Sequence, residues 1–228
     1  MADPSEESLA RMVETYPSTA ECRFFKDYRE MLDQVELDAV EIHTPHTLHF
    51  PQAMDCLDRG LHLLIEKPMV TTVEHAERLI EAAKGKVVLV SYQRRYEPRF
   101  RFIKQKVDEG ALGKVQYVAT LLSQNWYVGT KDKWRQDPAL SGGGQLNDSG
   151  SHIVDIMLWT TGLKPEVVFA SMEYYDTQVD IDSAITIRFE NGAQGTISIV
   201  GNGLFWWEDF SIWGSKAAIL YRNRQLYY

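Results

Sequence analysis

No apolar run in this sequence approaches the ~20 residues that a helix needs to cross a bilayer, so no membrane-spanning helix is expected. Cysteine is scarce. Cys22 and Cys56 are the only two, without the spacing of a metal knuckle or a redox pair. Both read as reduced packing residues of a cytoplasmic protein, with a disulfide as the alternative. Positive charge is short too: 24 Lys and Arg face 32 Asp and Glu, for a net charge of -8, and no basic block occurs. A nucleic-acid partner is therefore not expected. The opening "MADPSEESLARM" is acidic and has no apolar centre, unlike a secretory leader. Internal repeats, low-complexity tracts and Pro-rich linkers are missing. Gly142, Gly143 and Gly144 form a stretch that reads as flexible, but no Gly-Lys-Ser/Thr follows, so it is no phosphate loop.

What is present is a globular composition, 44% hydrophobic and 25% charged over 228 residues, enough for one large domain or two small ones. The first ninety residues alternate helix and strand. "PSEESLARMVETY" carries Leu9, Met12, Val13 and Tyr16 at helical spacing. "DYREMLDQ" opens on Asp27 with Glu30 three residues on, a capping-box pattern. "DAVEIHT", "HLLIE" and "KVVLVSY" read as short strands. Between them, "FPQAMDCLDRG" and "TTVEHAERLIEAAKG" read as helices, the second with Thr71 and Glu74 as a box and a buried stripe of Val73, Ala76, Ile80 and Ala83. Strands this apolar, separated by helices, predict a parallel sheet covered on both faces.

The pattern changes after Tyr92. One helix, "PRFRFIKQKVDEGALG", precedes long β-like runs at 114–126, 166–177, 181–189, 194–200 and 207–213. Ile181, Ser183, Ile185, Ile187 and Phe189 alternate with polar residues, so one face of that strand is wet. Asn191-Gly192 signals a hairpin. The helix "SHIVDIMLWTTG" interrupts the series. The expected fold is a parallel α/β part over 1–92 followed, over 93–228, by an α+β part with a large, mostly antiparallel open sheet. In "GLFWWEDFSIWG", Trp206, Trp207, Phe210 and Trp213 fit packing in a core or on another subunit better than stacking on a sugar.

Two strand tips and one loop could carry chemistry, because open parallel sheets bind ligands beyond the carboxyl ends of their strands. One tip bears Thr44, Pro45, His46 and His49. Another bears Glu66 and Lys67, followed by Pro68. Lys67 is either a solvated loop lysine or a held ammonium that donates to a substrate oxygen. Asp148 and His152, four apart, would share one side of a helix start. His152 could accept a proton while Asp148 orients it or binds a hydroxyl; alternatively, Asp148 is an N-cap and His152 structural. Adding Asp155 as a third metal ligand leaves no fourth, so no metal is expected.

Taken in order, "HTPHTLH", "EKP", "QRRYEP" and "KWRQDPALSGGGQLNDSGSHIVDIMLWTTG" resemble the Gfo/Idh/MocA oxidoreductase family, the relatives of glucose-fructose oxidoreductase and inositol dehydrogenase, over essentially the whole chain. The resemblance implies a Rossmann domain, then a substrate domain whose sheet serves homo-oligomer contacts in a dimer or tetramer. It implies hydride transfer between NAD or NADP and a sugar, polyol or related secondary alcohol. Lys67, Asp148 and His152 match the family's active-site lysine, aspartate and histidine, and Arg94 the substrate mouth. Asp3, Thr44, Pro45, His46, His49, Glu66, Gln93, Trp134 and Arg135 match positions near the cofactor. The Lys67-Pro68 bond is expected to be cis by the same resemblance.

Two departures accompany the match. His46 stands where the family usually has Asn. No Gly-x-Gly-x-x-Gly occurs, although that turn cradles the pyrophosphate. Asp3 matches the acidic residue that binds the adenosine ribose and favours NAD. By that alignment the first strand, glycine turn and helix would precede Met1, the chain would also stop short at "QLYY", and dinucleotide affinity of these residues alone would be weak. Two further functions fit the same residues: an NAD-dependent glycoside hydrolase, and a non-catalytic truncated remnant.

Overall fold

The computed structural model describes residues 1–228. Its elements follow the helix and strand signals closely. Helices α1 (Glu6–Thr15) and α2 (Tyr28–Gln34) start at side-chain caps, where Ser5 accepts from the Ser8 N–H and Asp27 from the Arg29 N–H. A three-stranded parallel sheet then forms from β1 (Ala39–Ile42), β2 (His62–Ile65) and β3 (Val88–Val90), in spatial order β1-β2-β3. The crossovers are α3 (His49–Asp58) and α4 (Val73–Ala82).

Both helices cover the sheet face presented by Leu63 and Ile65, in a core that also holds Ala53, Cys56, Leu57 and Leu79. The opposite face is not covered as the apolar strands led one to expect. Leu89, paired beside Leu64, is 46% exposed, and Val87 just before β3 is exposed as well. The α4 stripe also differs from expectation. Val73 and Ile80 point to solvent, and Leu79 with Ala82 and Ala83 faces the core. Either stripe satisfies the helical repeat, and the packing of α4 beside α3 in this core selects one. Its N-cap is Thr72, not Thr71, with Thr72 Oγ1 accepting from the His75 N–H.

After α5 (Pro98–Asp108), the second sheet takes over. It has seven strands: β4 (Val115–Asn125), β5 (Pro165–Glu173), β6 (Asp182–Phe189), β7 (Gln194–Val200), β8 (Asn202–Gly214), β9 (Ala218–Arg222) and β10 (Gln225–Tyr227). Their order is β10-β9-β8-β4-β7-β6-β5, antiparallel throughout except for the β4–β7 pair. β9 carries no turn-and-alternation signal of its own and was not expected. Between β4 and β5 lie α6 (Trp126–Gly129), α7 (Pro138–Ser141) and α8 (Gly150–Thr161).

Phe100 and Ile103 of α5 and Ile153, Ile156 and Met157 of α8 pack on the inward residues of β4, β6, β7, β8 and β9 in the main core. The β6–β7 hairpin turns at Asn191-Gly192, where Gly192 takes φ 84 and the Asn191 amide oxygen accepts from the Ala193 N–H. In the aromatic segment the inward phase is buried only from Glu208 onward, so Trp206 shares the phase of Phe210 but lies before the buried part, and Trp213 is in the opposite phase. Phe210 enters the core, whereas Trp213 and Trp206 stay on the surface.

Candidate active site

Lys67 leaves the carboxyl end of β2 and crosses to the start of α8. Its Nζ donates to the Asp148 carboxylate at Oδ1 (2.5 Å) and to the Asp148 carbonyl (3.1 Å). Both side chains are nearly sealed from solvent, Lys67 at 12% and Asp148 at 8% exposure. The Lys67-Pro68 bond is cis. Glu66 accepts from the Lys67 N–H through Oε2.

Asp148 is not an N-cap. It lies two residues before α8, and no backbone N–H donates to its carboxylate. Its four neighbours are side chains: Lys67 on Oδ1, Trp126 Nε1 (2.8 Å) and Arg135 Nε (3.1 Å) on Oδ2, and His46 Nε2 3.7 Å from Oδ1. Burial alone would raise this carboxyl. The charge and hydrogen bond of Lys67, the indole of Trp126 and the charge of Arg135 outweigh it and hold the group at about 2. The carboxylate is ionised at any ordinary pH.

His152 sits one turn further along, its ring edge-on to Tyr92. Burial, then the positive charges of Lys67 and Arg94, pull it down to about 3 against a smaller opposing pull from Asp148. The ring is therefore neutral, and its Nδ1 is buried with no hydrogen-bond partner in the protein. A neutral imidazole beside an ammonium and a carboxylate can take a hydroxyl proton.

The other expected residues fall into two groups. His46, Trp134 and Arg135 gather around Asp148. His46 Nδ1 lies 3.1 Å from the Ser141 carbonyl, and its ring stands edge-on to Trp134, over which Arg135 lies. Burial brings His46 down to about 4. His49 has no exposed surface and places its ring nitrogens 2.8 Å from the Pro68 carbonyl and 2.9 Å from that of Thr44, tying the two strand tips together. Thr44 donates to Gln52, and Pro45 precedes a helical turn over 46–48. Asp3 stands apart from this cluster, accepting from the Ser5 N–H after the Ala2–Phe25 bridge. Gln93 starts the turn after β3. Arg94 is buried in an ion pair with Glu208, and Asp155 is held by Arg95.

The glycine stretch is clamped, not flexible. Asp180 accepts from the Gly144 N–H through Oδ1 and from the Leu146 N–H through Oδ2, each at 2.8 Å. A Cβ on Gly144 would fall inside the Asp180 backbone. Gly144→Ala is expected to displace the loop that carries Asp148 and cost about 2–4 kcal/mol, read as a drop in urea midpoint; an unchanged midpoint would refute the clamp.

Two residues of the site were missed in the sequence. Trp126 looked like the end of a β run. Glu208 shares the inward phase of Phe210 and Ile212 on β8, and a lone acid in that phase was the available signal.

A parallel strand-helix sheet with a lysine at its carboxyl edge joins a part built on a large open sheet, where the loop before α8 carries a carboxylate and α8 a histidine; this is the two-part fold of an NAD-binding oxidoreductase family. The model of the oxidoreductase family with NAD-binding Rossmann fold matches residues 2–94, and that of the GFO/IDH/MocA C-terminal domain matches residues 100–220. The chain belongs to the Gfo/Idh/MocA oxidoreductase family. It is 25% identical over 225 residues to levoglucosan dehydrogenase of Pseudarthrobacter phenanthrenivorans, covering 86% of this chain and 58% of that protein. It is 34% identical over 149 residues to the NADP(+) scyllo-inositol 2-dehydrogenase IolW of Bacillus subtilis, covering 64% of this chain and 40% of that protein. Among solved structures, levoglucosan dehydrogenase in complex with NADH and L-sorbose superposes with a TM-score of 0.86 at 25% identity, over 97% of this chain and 62% of that one. The chain thus spans between 40% and 62% of the length of these relatives. No helix is long and apolar enough to cross a membrane.

Proposed function

We propose that the protein carrying this chain transfers a hydride between NAD or NADP and a secondary alcohol of a sugar, polyol or similar molecule. The observation that carries this reading is the Lys67–Asp148 pair beside the buried, unpartnered His152 Nδ1. Bound nicotinamide supplies the hydride acceptor or donor. The residues that fit it are Thr44, Pro45 and Glu66 at the strand tips and Gln93 after β3, with Asp3 toward the adenosine ribose, where a carboxylate favours NAD. His46, His49, Trp134 and Arg135 act by fixing the loops and the carboxylate around them.

Lys67 hydrogen-bonds the carbinol oxygen and steadies negative charge as it develops. His152 accepts the hydroxyl proton, because the same developing charge raises the proton affinity of its neutral ring. Asp148 holds the Lys67 amine in place and keeps the pair neutral overall. Arg94 borders the substrate, anchored by Glu208. The outer face of the second sheet, with Phe169, Val167 and Trp213 exposed, supports a homo-oligomer through that sheet. Two unpaired cysteines support a cytoplasmic setting.

The test uses the full-length protein with NAD or NADP and a panel of sugars and polyols, followed by nicotinamide absorbance. Net reduction is expected, and His152→Gln should lower it about 10²–10⁴-fold. Glycoside cleavage without net NADH would replace this reading by redox-assisted hydrolysis, and absence of both would end it.

A further inference from the structure

Trp126 has no part in the hydride-transfer scheme above, yet it is one of the most firmly held residues of the site. It opens α6 directly after β4, and Val179 and Ile181 pack against its ring in a small core of their own. Its backbone N–H donates to the Gly201 carbonyl (2.8 Å), and its carbonyl accepts from both the N–H and the hydroxyl of Thr130 (2.9 and 2.7 Å). The ring therefore has little freedom to move. An indole has one polar function, a single N–H donor. That donor points at Asp148 Oδ2, 2.8 Å away, in a buried setting.

The geometry of the carboxylate follows from this. A buried Asp side chain rotates about its last bond unless both oxygens are held. Lys67 occupies Oδ1, and two donors reach Oδ2. Of those two, Arg135 is 37% exposed in its side chain and lies on a long flexible stem, so it follows the carboxylate rather than setting it. The indole is rigid and enclosed. It is also supplied by the far end of the strand that lies at the middle of the large sheet, so it ties the Asp148 loop to the most extensively paired element of the molecule.

We propose that Trp126 is a positioning residue: its indole N–H fixes the rotation of the Asp148 carboxylate, so that Oδ1 stays on the Lys67 amine and the amine stays aimed at the reacting oxygen. The kinetic consequence rests on the dehydrogenase reading; the contact itself does not.

The key variant is Trp126→Phe, which keeps an aromatic ring and removes the N–H. In the full-length protein, kcat should fall about ten- to a hundredfold while KM changes less than about threefold. Because the effect passes through Asp148, Trp126→Phe should have little further effect in an Asp148→Ala background, which has no acceptor for the indole. A residue that merely fills space would lower activity by the same factor in both backgrounds, and that result would overturn the proposal.

A second arm needs no turnover. These 228 residues hold six tryptophans, and each contributes one indole signal to a proton–nitrogen spectrum. The Trp126 signal should be slow to exchange with solvent and should shift in Asp148→Ala, which removes its acceptor. If it stays in place, the contact is absent and the proposal fails, even should Trp126→Phe not fold. If the protein shows no hydride transfer at all, the dehydrogenase reading falls alone, and the indole signal still decides this one.

Discussion

Lys67→Met is expected to lower turnover about 10²–10⁴-fold and also to destabilise the fold by about 3–5 kcal/mol. The two effects have one origin. The amine and the Asp148 carboxylate are both nearly sealed from solvent and meet at 2.5 Å. Methionine fills most of the same volume but leaves a buried anion with only Trp126 and Arg135 to offset it. Removing one member of such a pair strands the other charge, and that desolvation penalty, rather than the lost attraction, is the main cost. The ordinary range of Asp148 should then return, because its largest lowering influence is the charge of Lys67.

The double variant separates the two consequences. Lys67→Met with Asp148→Asn removes both charges while the amide oxygen still accepts from Trp126. Urea midpoints should recover most of the loss, and turnover should not recover at all. A Lys67→Met protein with unchanged midpoint and unchanged kcat would show that the lysine is a surface residue after all.

The second large effect is acid sensitivity. His46 and His152 are held at about 4 and about 3 in the folded protein, against 6.5 for an unburied imidazole. Below pH 6.5 the unfolded chain takes up protons on both rings while the folded chain does not, so protons favour unfolding. The stability these neutral rings contribute is complete above pH 6.5 and is lost as pH falls toward 4 and then 3. Several kcal/mol are at stake in all. Asp148 adds a later loss, because its carboxylate stability is present above 3.8 and disappears as pH falls toward 2.

Urea midpoints should therefore decline steeply from pH 6.5 to 4, with an uptake of up to two protons on unfolding. His46→Gln should remove about one of them and flatten the slope. A midpoint that is constant from pH 7 to 4.5 would mean that these rings are not the buried neutral groups described. The same burial has a catalytic side: it keeps His152 in the form that accepts a proton.

Much of the fold was legible because it is governed by local patterns. The caps at Asp27, the hairpin at Asn191-Gly192 and the strict alternation of β6 each follow from a few neighbouring residues. Where two local solutions competed, the sequence could not choose. α4 has two apolar stripes that satisfy the helical repeat, and only its packing beside α3 selects Leu79 over Val73 and Ile80. Leu89 and Val87 read as buried because they are apolar, yet burial depends on what lies across the sheet.

The candidate site divides the same way. Lys67, Asp148 and His152 could be named from motif order, but their relations could not. Asp148 could be read as a helix cap or as a partner of His152, and it is ringed by side chains from four separate segments. The glycine stretch looked loose and is pinned by Asp180, which lies 36 residues away in the chain. Trp126 and Glu208 gave almost no local signal, because their partners, Asp148 and Arg94, are 22 and 114 residues distant.

By itself, then, the sequence determined which residue types are available, where the chain turns and which strands have one wet face, since these follow from backbone preference and period. Only the tertiary structure decided which charges are buried and what each one faces. Burial and the direction of a donor are properties of packed neighbours, and those neighbours come from distant parts of the chain.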